Sequence, residues 1–436
     1  MRLKLTLALR PQKIFMPRAL LADNKIFAAF FKPLFDALNR AVHTRQCNEL
    51  PDQHWLELGV TRILMESPSG RGFLQQYGPH FQSDVSVGLY FESLKSNRRL
   101  LLADELNDSI CAKAAKELND PLQDFEELKK YDIYAADGHW HGASAHEVRK
   151  NEKKWAPGYF YALNLRSHAI KLLDTADEVH RKHEHDMRAL KRMGIETLRQ
   201  GAKTGRKVLY VYDSASIDFD EWDWWKSRGG IYFVSRMKDG TAYECLDELE
   251  IDHENGLNHG ITSDEKIIVN NQSILRRIVC VDPQTGKEHV LITNQLTISP
   301  GLLAQLYRMR WDIEKVFDEF KNTLQEKKAW AGSVRAKKIQ ANFLCLAHNL
   351  CLLMEHDLEK DYGVSNEAEI RRRQNRFEAM KNAAKEAGRK WSTVYECVQR
   401  YSKRSVKFIR CLRSFFFLEK PLIDMAAHLI RLYAKL

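Results

Sequence analysis

The chain has 436 residues, 44% of them hydrophobic and 10% aromatic, with 68 Lys and Arg against 58 Asp and Glu for a net charge of +10. That length and apolar content belong to a folded chain of more than one domain and exclude disorder as the dominant state. No apolar run approaches the length needed to span a bilayer, the eight cysteines form no C-x-x-C pair, and the N-terminal apolar run is too short for a signal peptide, so a reduced, cytoplasmic protein is expected.

Residues 1–103 read as short amphipathic helices, Phe27 to Ala41 and Gln53 to Met65, stopped by the Ser67-Pro68-Ser69-Gly70 breaker. Val85 to Leu101 follows as a helix ending in Lys95, Asn97, Arg98 and Arg99. Two helices around a turn, the second tipped with basic side chains, suit a helix-turn-helix reader of DNA, with Arg98 and Arg99 as contacts. Residues 104–132 carry nine acids and four lysines, and 104–130 reads as an acidic helical connector. From 131 to 238 the texture becomes β: Tyr131 to Asp137, Gly158 to Arg166, the apolar Lys207 to Tyr212, and Ile231 to Met237, with helices at Glu184 to Gly201 and Glu221 to Gly229. That order predicts an α/β core with a mixed sheet. Residues 239–290, punctuated by Asp239-Gly240, Asn255-Gly256 and Thr285-Gly286, read as a β-rich insertion with strands at Ile274 to Val281 and His289 to Ile292.

Core residues return at 291–360, opening with a helix from Pro300 to about Lys327 capped by Ser299. The remaining 361–436 form a helical C-terminal region. Within it, residues 371–413 hold fourteen Lys and Arg and three acids, a net of +11, so the rest of the chain sums to −1. Such a segment, Arg371, Arg372 and Arg373 included, is expected to contact phosphates, and its removal after about Ser365 to weaken DNA binding.

On the Pro300 helix, Leu306, Ile313, Phe317, Phe320 and Leu324 form the apolar stripe, while Tyr307, Arg310, Glu314 and Lys321 fall within about 60° of one another along one edge of it. Arg308, Asp312, Lys315 and Glu319 point the other way. A carboxylate beside a phenol and two cations suits a metal ligand whose neighbours grip phosphate. Asp137 and Asp213 each stand at or near a strand end. With Glu314 they offer oxygen-only ligation for Mg²⁺, with Mn²⁺ as a substitute, in a two-metal phosphoryl transfer. Taken singly, a strand-end aspartate is more often a turn former than a ligand, and Asp132, Asp218, Asp220 and Asp318 are neighbouring alternatives. His139, His141 and His146, or His180, His183, His185 and Asp186, can be drawn as zinc ligands.

The spacing Tyr307-x2-Arg310-x3-Glu314-x6-Lys321 resembles the Y-x2-R-x3-E-x6-K signature of DDE transposases of the insertion-sequence-four family. The LITN run at 291–294, AADGH around Asp137 and VLYVYDSAS around Asp213 are similar to that family's surrounding regions. The resemblance covers about residues 130–350. It implies an RNase H-like core interrupted by a β-rich insertion, with Asp137, Asp213 and Glu314 as metal ligands and Tyr307, Arg310 and Lys321 as phosphate contacts. It further implies a nucleoid-associated enzyme acting on double-stranded DNA, both terminal inverted repeats and target, as a homodimer on the DNA ends. The family's members stack an aromatic on a flipped base; of Trp222, Trp224, Trp225 and Trp311, the first three are expected to pack their helix instead. A nuclease without strand transfer and a DNA-binding protein with an inactive core are the rival expectations.

Overall fold

The computed structural model of the chain describes residues 21 and 24–434, apart from 66–68, 82–84, 141, 145–157, 177–185, 200–201, 203–204, 214–217, 271, 325–327 and 399. The N-terminal region holds α1 (Lys25–Leu38), α2 (Asp52–Leu64), α3 (Gly70–Tyr77), α4 (Val87–Ser93) and α5 (Asn97–Glu117). Side chains of Asn24, Ser69, Ser86 and Ser96 accept amide hydrogen bonds at the starts of α1, α3, α4 and α5, satisfying first-turn donors. The single helix expected over Val85 to Leu101 is therefore two helices, and Arg98 and Arg99 open α5 instead of ending its predecessor. The boundary expected at 103/104 falls inside α5, whose Leu102, Ala103, Leu106, Ile110 and Ala114 are buried. Four of the nine acids of this stretch, Asp104, Glu105, Asp108 and Glu117, lie on this core helix, and Asp104 turns inward to accept from the Asn342 carboxamide at 2.6 Å.

Next come β1 (Tyr131–Trp140), β2 (Gly158–Asn164), β3 (Ile170–Thr175), α6 (Asp186–Leu198), β4 (Lys207–Val211), α7 (Phe219–Gly229) and β5 (Ile231–Arg236). They are followed by β6 (Glu244–Glu248), β7 (Ile261–Val269), β8 (Ser273–Val281) and β9 (Glu288–Thr293). All nine join one mixed sheet in the order β3-β2-β1-β4-β5-β9-β8-β7-β6. β1, β2 and β3 are antiparallel neighbours, and β4 and β5 run parallel to β1. This β3-β2-β1-β4-β5 arrangement is the expected RNase H-like core. The β-rich insertion extends that sheet: β9 pairs antiparallel with β5 at Val234 to Arg236, giving partners to backbone groups that would otherwise line an open edge. At the other edge, Asn349 both accepts from the Ile170 amide and donates to the Ile170 carbonyl, at 2.9 Å each, and so closes β3.

Strand alternation divides the sheet into two faces. Ile133 and Ala135 of β1, Leu209 and Val211 of β4 and Val234 of β5 enter the larger core, which also takes in the N- and C-terminal helices. Tyr134 and Ala136, Val208, Tyr210 and Tyr212, and Phe233 enter a smaller core with Trp222 and Trp225 of α7. Those two tryptophans pack as expected; Trp224 is exposed.

The larger face is covered by α8 (Pro300–Met309), α9 (Trp311–Asn322) and α10 (Val334–Tyr362), followed by α11 (Glu367–Glu386), α12 (Val394–Cys397), α13 (Val406–Phe415) and α14 (Leu422–Ala434). The expected Pro300 helix is thus two helices meeting at Arg310, where the Arg310 and Ile313 amides donate three residues back, to Tyr307 and Arg310 carbonyls at 3.1 and 3.3 Å. Ser299 makes no side-chain cap; the Asn258 carboxamide accepts the Gly301 amide at 3.1 Å instead. The N- and C-terminal regions share one core, since Phe27 and Phe30 pack edge-on against Phe416 with ring centroids 5.1 and 5.6 Å apart.

Candidate active site

Strand register brings the two predicted aspartates together. Ala135 of β1 lies beside Val211 of β4, which lies beside Val234 of β5. Two residues on, along parallel strands, come Asp137, Asp213 and Arg236. Because side chains repeat every second residue, Asp137 and Arg236, still within their strands, point to the face that Ala135 and Val234 point to. Asp213, two residues past the end of β4, lies near enough to Tyr307 of α8 to act on its phenol, as Arg236 does. The ring of His139, the next residue of β1 on that face, stacks on Phe317 of α9 at 4.6 Å. Phe317 is one turn from Glu314, so α9 presents Glu314 to the same end of β1.

Arg310 ties these elements. Its Nη1 lies 2.8 Å from Glu314 Oε1 and 3.6 Å from Asp137 Oδ2. Asp137 Oδ1 accepts the Gly138 amide at 2.8 Å. The Arg310 side chain is 5% exposed, against 36% for Glu314 and 22% for Asp137, so the carboxylates open to solvent from a cation held inside. Tyr307, one turn before, is half-buried; burial pushes its phenol above the ordinary range, Asp213 adds to this, and Arg310 and Arg236 oppose it. The phenol is therefore a neutral donor at physiological pH. Lys321 is exposed and, among the described residues, forms no ion pair. Arg236 is the residue that sequence reading missed. Its signal was its position at the end of the third parallel strand, in phase with the two aspartates.

Three of the four neighbouring acids are committed elsewhere, while Asp220 is exposed at the start of α7. Asp132 pairs with Arg206 at 2.8 Å, Asp218 caps α7 and pairs with Lys191 at 2.5 Å, and Asp318 pairs with Lys403. His139 is a buried, ring-stacked core residue. His141, His146, His180, His183 and His185 lie outside the described residues. Among the described residues no three His, Cys, Asp or Glu side chains gather about one point; the group within reach of both Asp137 and Glu314 is the Arg310 guanidinium. The donor chemistry, carboxylates only, with a positive charge already shared by two of them, fits a hard divalent cation.

A family model described as a transposase DDE domain matches residues 129–350, just over half of the chain. The chain belongs to the DDE-domain transposase family. No curated protein matches it by sequence. Among solved structures, the cryo-EM structure of the piggyBac transposase synaptic complex with hairpin DNA is similar at a TM-score of 0.35 and 8% identity, over 96% of this chain and 79% of that chain. That degree of likeness transfers no residue role.

Around this DDE domain the predicted DNA contacts separate into two groups. Arg98 grips Asp52 through two hydrogen bonds of 2.6 and 2.7 Å, and Arg99 is buried, donating to the Leu50 carbonyl at 2.6 Å with its guanidinium over Trp55. Both hold α5 to the start of α2 and the residues just before it, and the expected basic helix tip is not presented to solvent as such. Within the basic segment, Arg373 donates to the Arg400 carbonyl, Arg389 to the Pro283 and Gln284 carbonyls, and Arg400 to Asp312. Arg372 is exposed and pairs with Glu369. Arg371, Arg376, Lys385, Lys390 and Arg410 are exposed and, among the described residues, form no ion pair. No helix of the described residues is long and apolar enough to cross a membrane.

The side of α9 that points away from Glu314 is covered. Asp312 and Glu319 are fully buried: Asp312 receives Arg400 at 2.7 Å and Lys315 at 2.8 Å, while Glu319 receives Arg404, His348 at 3.0 Å and the Tyr401 hydroxyl at 2.7 Å. The C-terminal region thus clamps α9 on either side of Glu314. Part of the positive charge that the sequence placed on DNA, that of Arg400 and Arg404, is internal neutralisation.

Proposed function

We propose that this member of the DDE-domain family is a DNA transposase of the insertion-sequence-four type, with Asp137, Asp213 and Glu314 as its acidic triad. The observation that supports it most is that β1 and α9 bring Asp137 and Glu314 into contact with one Arg310, while Asp213, just past β4, lies near Tyr307 one turn before it. Mg²⁺ or Mn²⁺ held by the triad would supply the charge that activates a water or 3′-hydroxyl and stabilises the departing oxygen in an in-line displacement. The protein's own side chains do the positioning. Arg310 and Arg236 offer planar, multidentate donors to phosphate oxygens, Lys321 a point charge one edge further along, and Tyr307 a neutral hydroxyl donor. The scissile phosphate is then held against the strand ends by groups on rigid elements.

The substrates in this reading are the terminal inverted repeats and a target duplex, joined after 3′-end hydrolysis, and two chains assemble on the two ends. The exposed cations of α11 and beyond, Arg371 and Arg372 among them, carry flanking duplex. A pre-cut end supplied with plasmid target and Mg²⁺ is expected to give joined products. Hydrolysis without joining reduces the protein to an RNase H-like nuclease, and no metal-dependent cleavage of the flanking inverted repeats leaves an inactive core. Lys321→Ala should weaken duplex binding evenly across sequences and lower the slope of log affinity against log salt by about 1, read from fluorescence anisotropy titrations.

A further inference from the structure

Arg310 occupies the place that a cation shared by Asp137 and Glu314 would need. We propose that Arg310 is an internal counter-ion, which keeps these two carboxylates together in the free protein and is exchanged for a divalent cation when a DNA phosphate takes up the guanidinium. This rests on the triad reading above.

The geometry is that of a held but incompletely satisfied cation. Nη1 reaches both carboxylates, while Nε is buried and, among the described residues, has no hydrogen-bond partner. The Trp311 ring lies 4.6 Å from the guanidinium carbon and is itself half exposed. Without a positive charge between them, carboxylates converging from β1 and α9 would repel one another. A divalent ion placed between Asp137 Oδ2 and Glu314 Oε1 would stand where Nη1 now stands, so the two like charges exclude one another from that position. Metal entry therefore requires the guanidinium to leave. The long side chain can do this by rotation about its own bonds, since Arg310 and Glu314 are one helical turn apart and the backbone need not move. A phosphate that draws Arg310 outward makes room for metal, and metal that expels Arg310 offers it to phosphate, so the two bind with positive coupling. Catalytic ions would then assemble preferentially on DNA.

Mn²⁺ binding to full-length protein, followed by the electron paramagnetic resonance of the free ion, separates the possibilities. Arg310→Gln should bind Mn²⁺ roughly tenfold more tightly than wild type, a modest coupling by the usual range, and Asp213→Asn should bind it more weakly. Equal or weaker Mn²⁺ binding by Arg310→Gln overturns the exchange. Should that variant fail to fold, the wild type decides: Ca²⁺ should change indole emission in wild type but not in Trp311→Phe, because the guanidinium leaves the Trp311 ring. An identical response in both proteins, with Mn²⁺ binding intact, also overturns it. Absence of Mn²⁺ binding by both wild type and Arg310→Gln would remove the triad reading itself, and the exchange with it.

Discussion

Glu314→Gln is expected to reduce DNA cleavage and joining by at least about a thousandfold, roughly 4 kcal/mol of transition-state stabilisation, while duplex binding persists. The substitution keeps the shape of the side chain and removes the charge that a cation needs. Fold stability should hardly change, because the lost pair with Arg310 involves a carboxylate that is 36% exposed, and ion pairs open to solvent contribute about 1 kcal/mol or less. Cleavage of an end-bearing duplex, alongside a thermal melt of the same preparation, gives both quantities. Retained cleavage would reject Glu314 as a ligand. Asp318 is not a ready substitute, since it pairs with Lys403 and Asn322 on the exposed side of α9.

Arg404→Ala is expected to destabilise the fold by about 3–5 kcal/mol, the cost of leaving a buried carboxylate without its partner. Arg404 is 1% exposed and joins Glu319 to Glu355 and to the His348 carbonyl. Burial alone would raise the Glu319 carboxyl, but Arg404, His348 and Tyr401 outweigh it and hold the group down at about 2. A carboxyl depressed in the folded state stabilises above its ordinary value of 4.5, and that stabilisation is lost as pH falls from there through about 2. Wild-type urea midpoints should therefore drop through this acid window. In Arg404→Ala the drop should be smaller and end at higher pH, because the largest depressing charge is gone and the window below 4.5 narrows. Equal wild-type and variant midpoints across the window would show that the cluster does not couple to folding.

That cluster also changes what a C-terminal deletion can report. Removal after Ser365 takes away Arg400 and Arg404, and with them Phe408, Ile409, Leu412 and Met425 of the larger core. Lost DNA binding in such a protein would follow from unfolding. Substitutions at Arg371, Arg376 and Lys385, which are exposed, test phosphate contact without that confusion.

Much of the candidate site was legible because its rules are local. Apolar runs rich in β-forming residues marked the strands at Tyr131 to Asp137 and Lys207 to Tyr212. The helical period placed Tyr307, Arg310, Glu314 and Lys321 on one edge, and the structure finds Arg310 beside Glu314 and in contact with Tyr307. The short β3 strand was not foreseen, since six residues held between β2 and α10 carry little pattern of their own.

Strand and helix periods and the i, i+4 pair of Arg310 with Glu314 follow from neighbours a few residues apart, and the amino-acid order determines them. Asp137, by contrast, read as closing its strand, lies inside β1 opposite Tyr161. What only the tertiary structure decided is which charges face water. Arg98 finds Asp52 from 46 residues away, Arg400 finds Asp312 from 88 and Arg404 finds Glu319 from 85. A charged side chain reads the same in sequence whether its counter-ion is a phosphate or a buried aspartate. Only packing, which removes water from one face of α9 and leaves it on the other, makes the distinction.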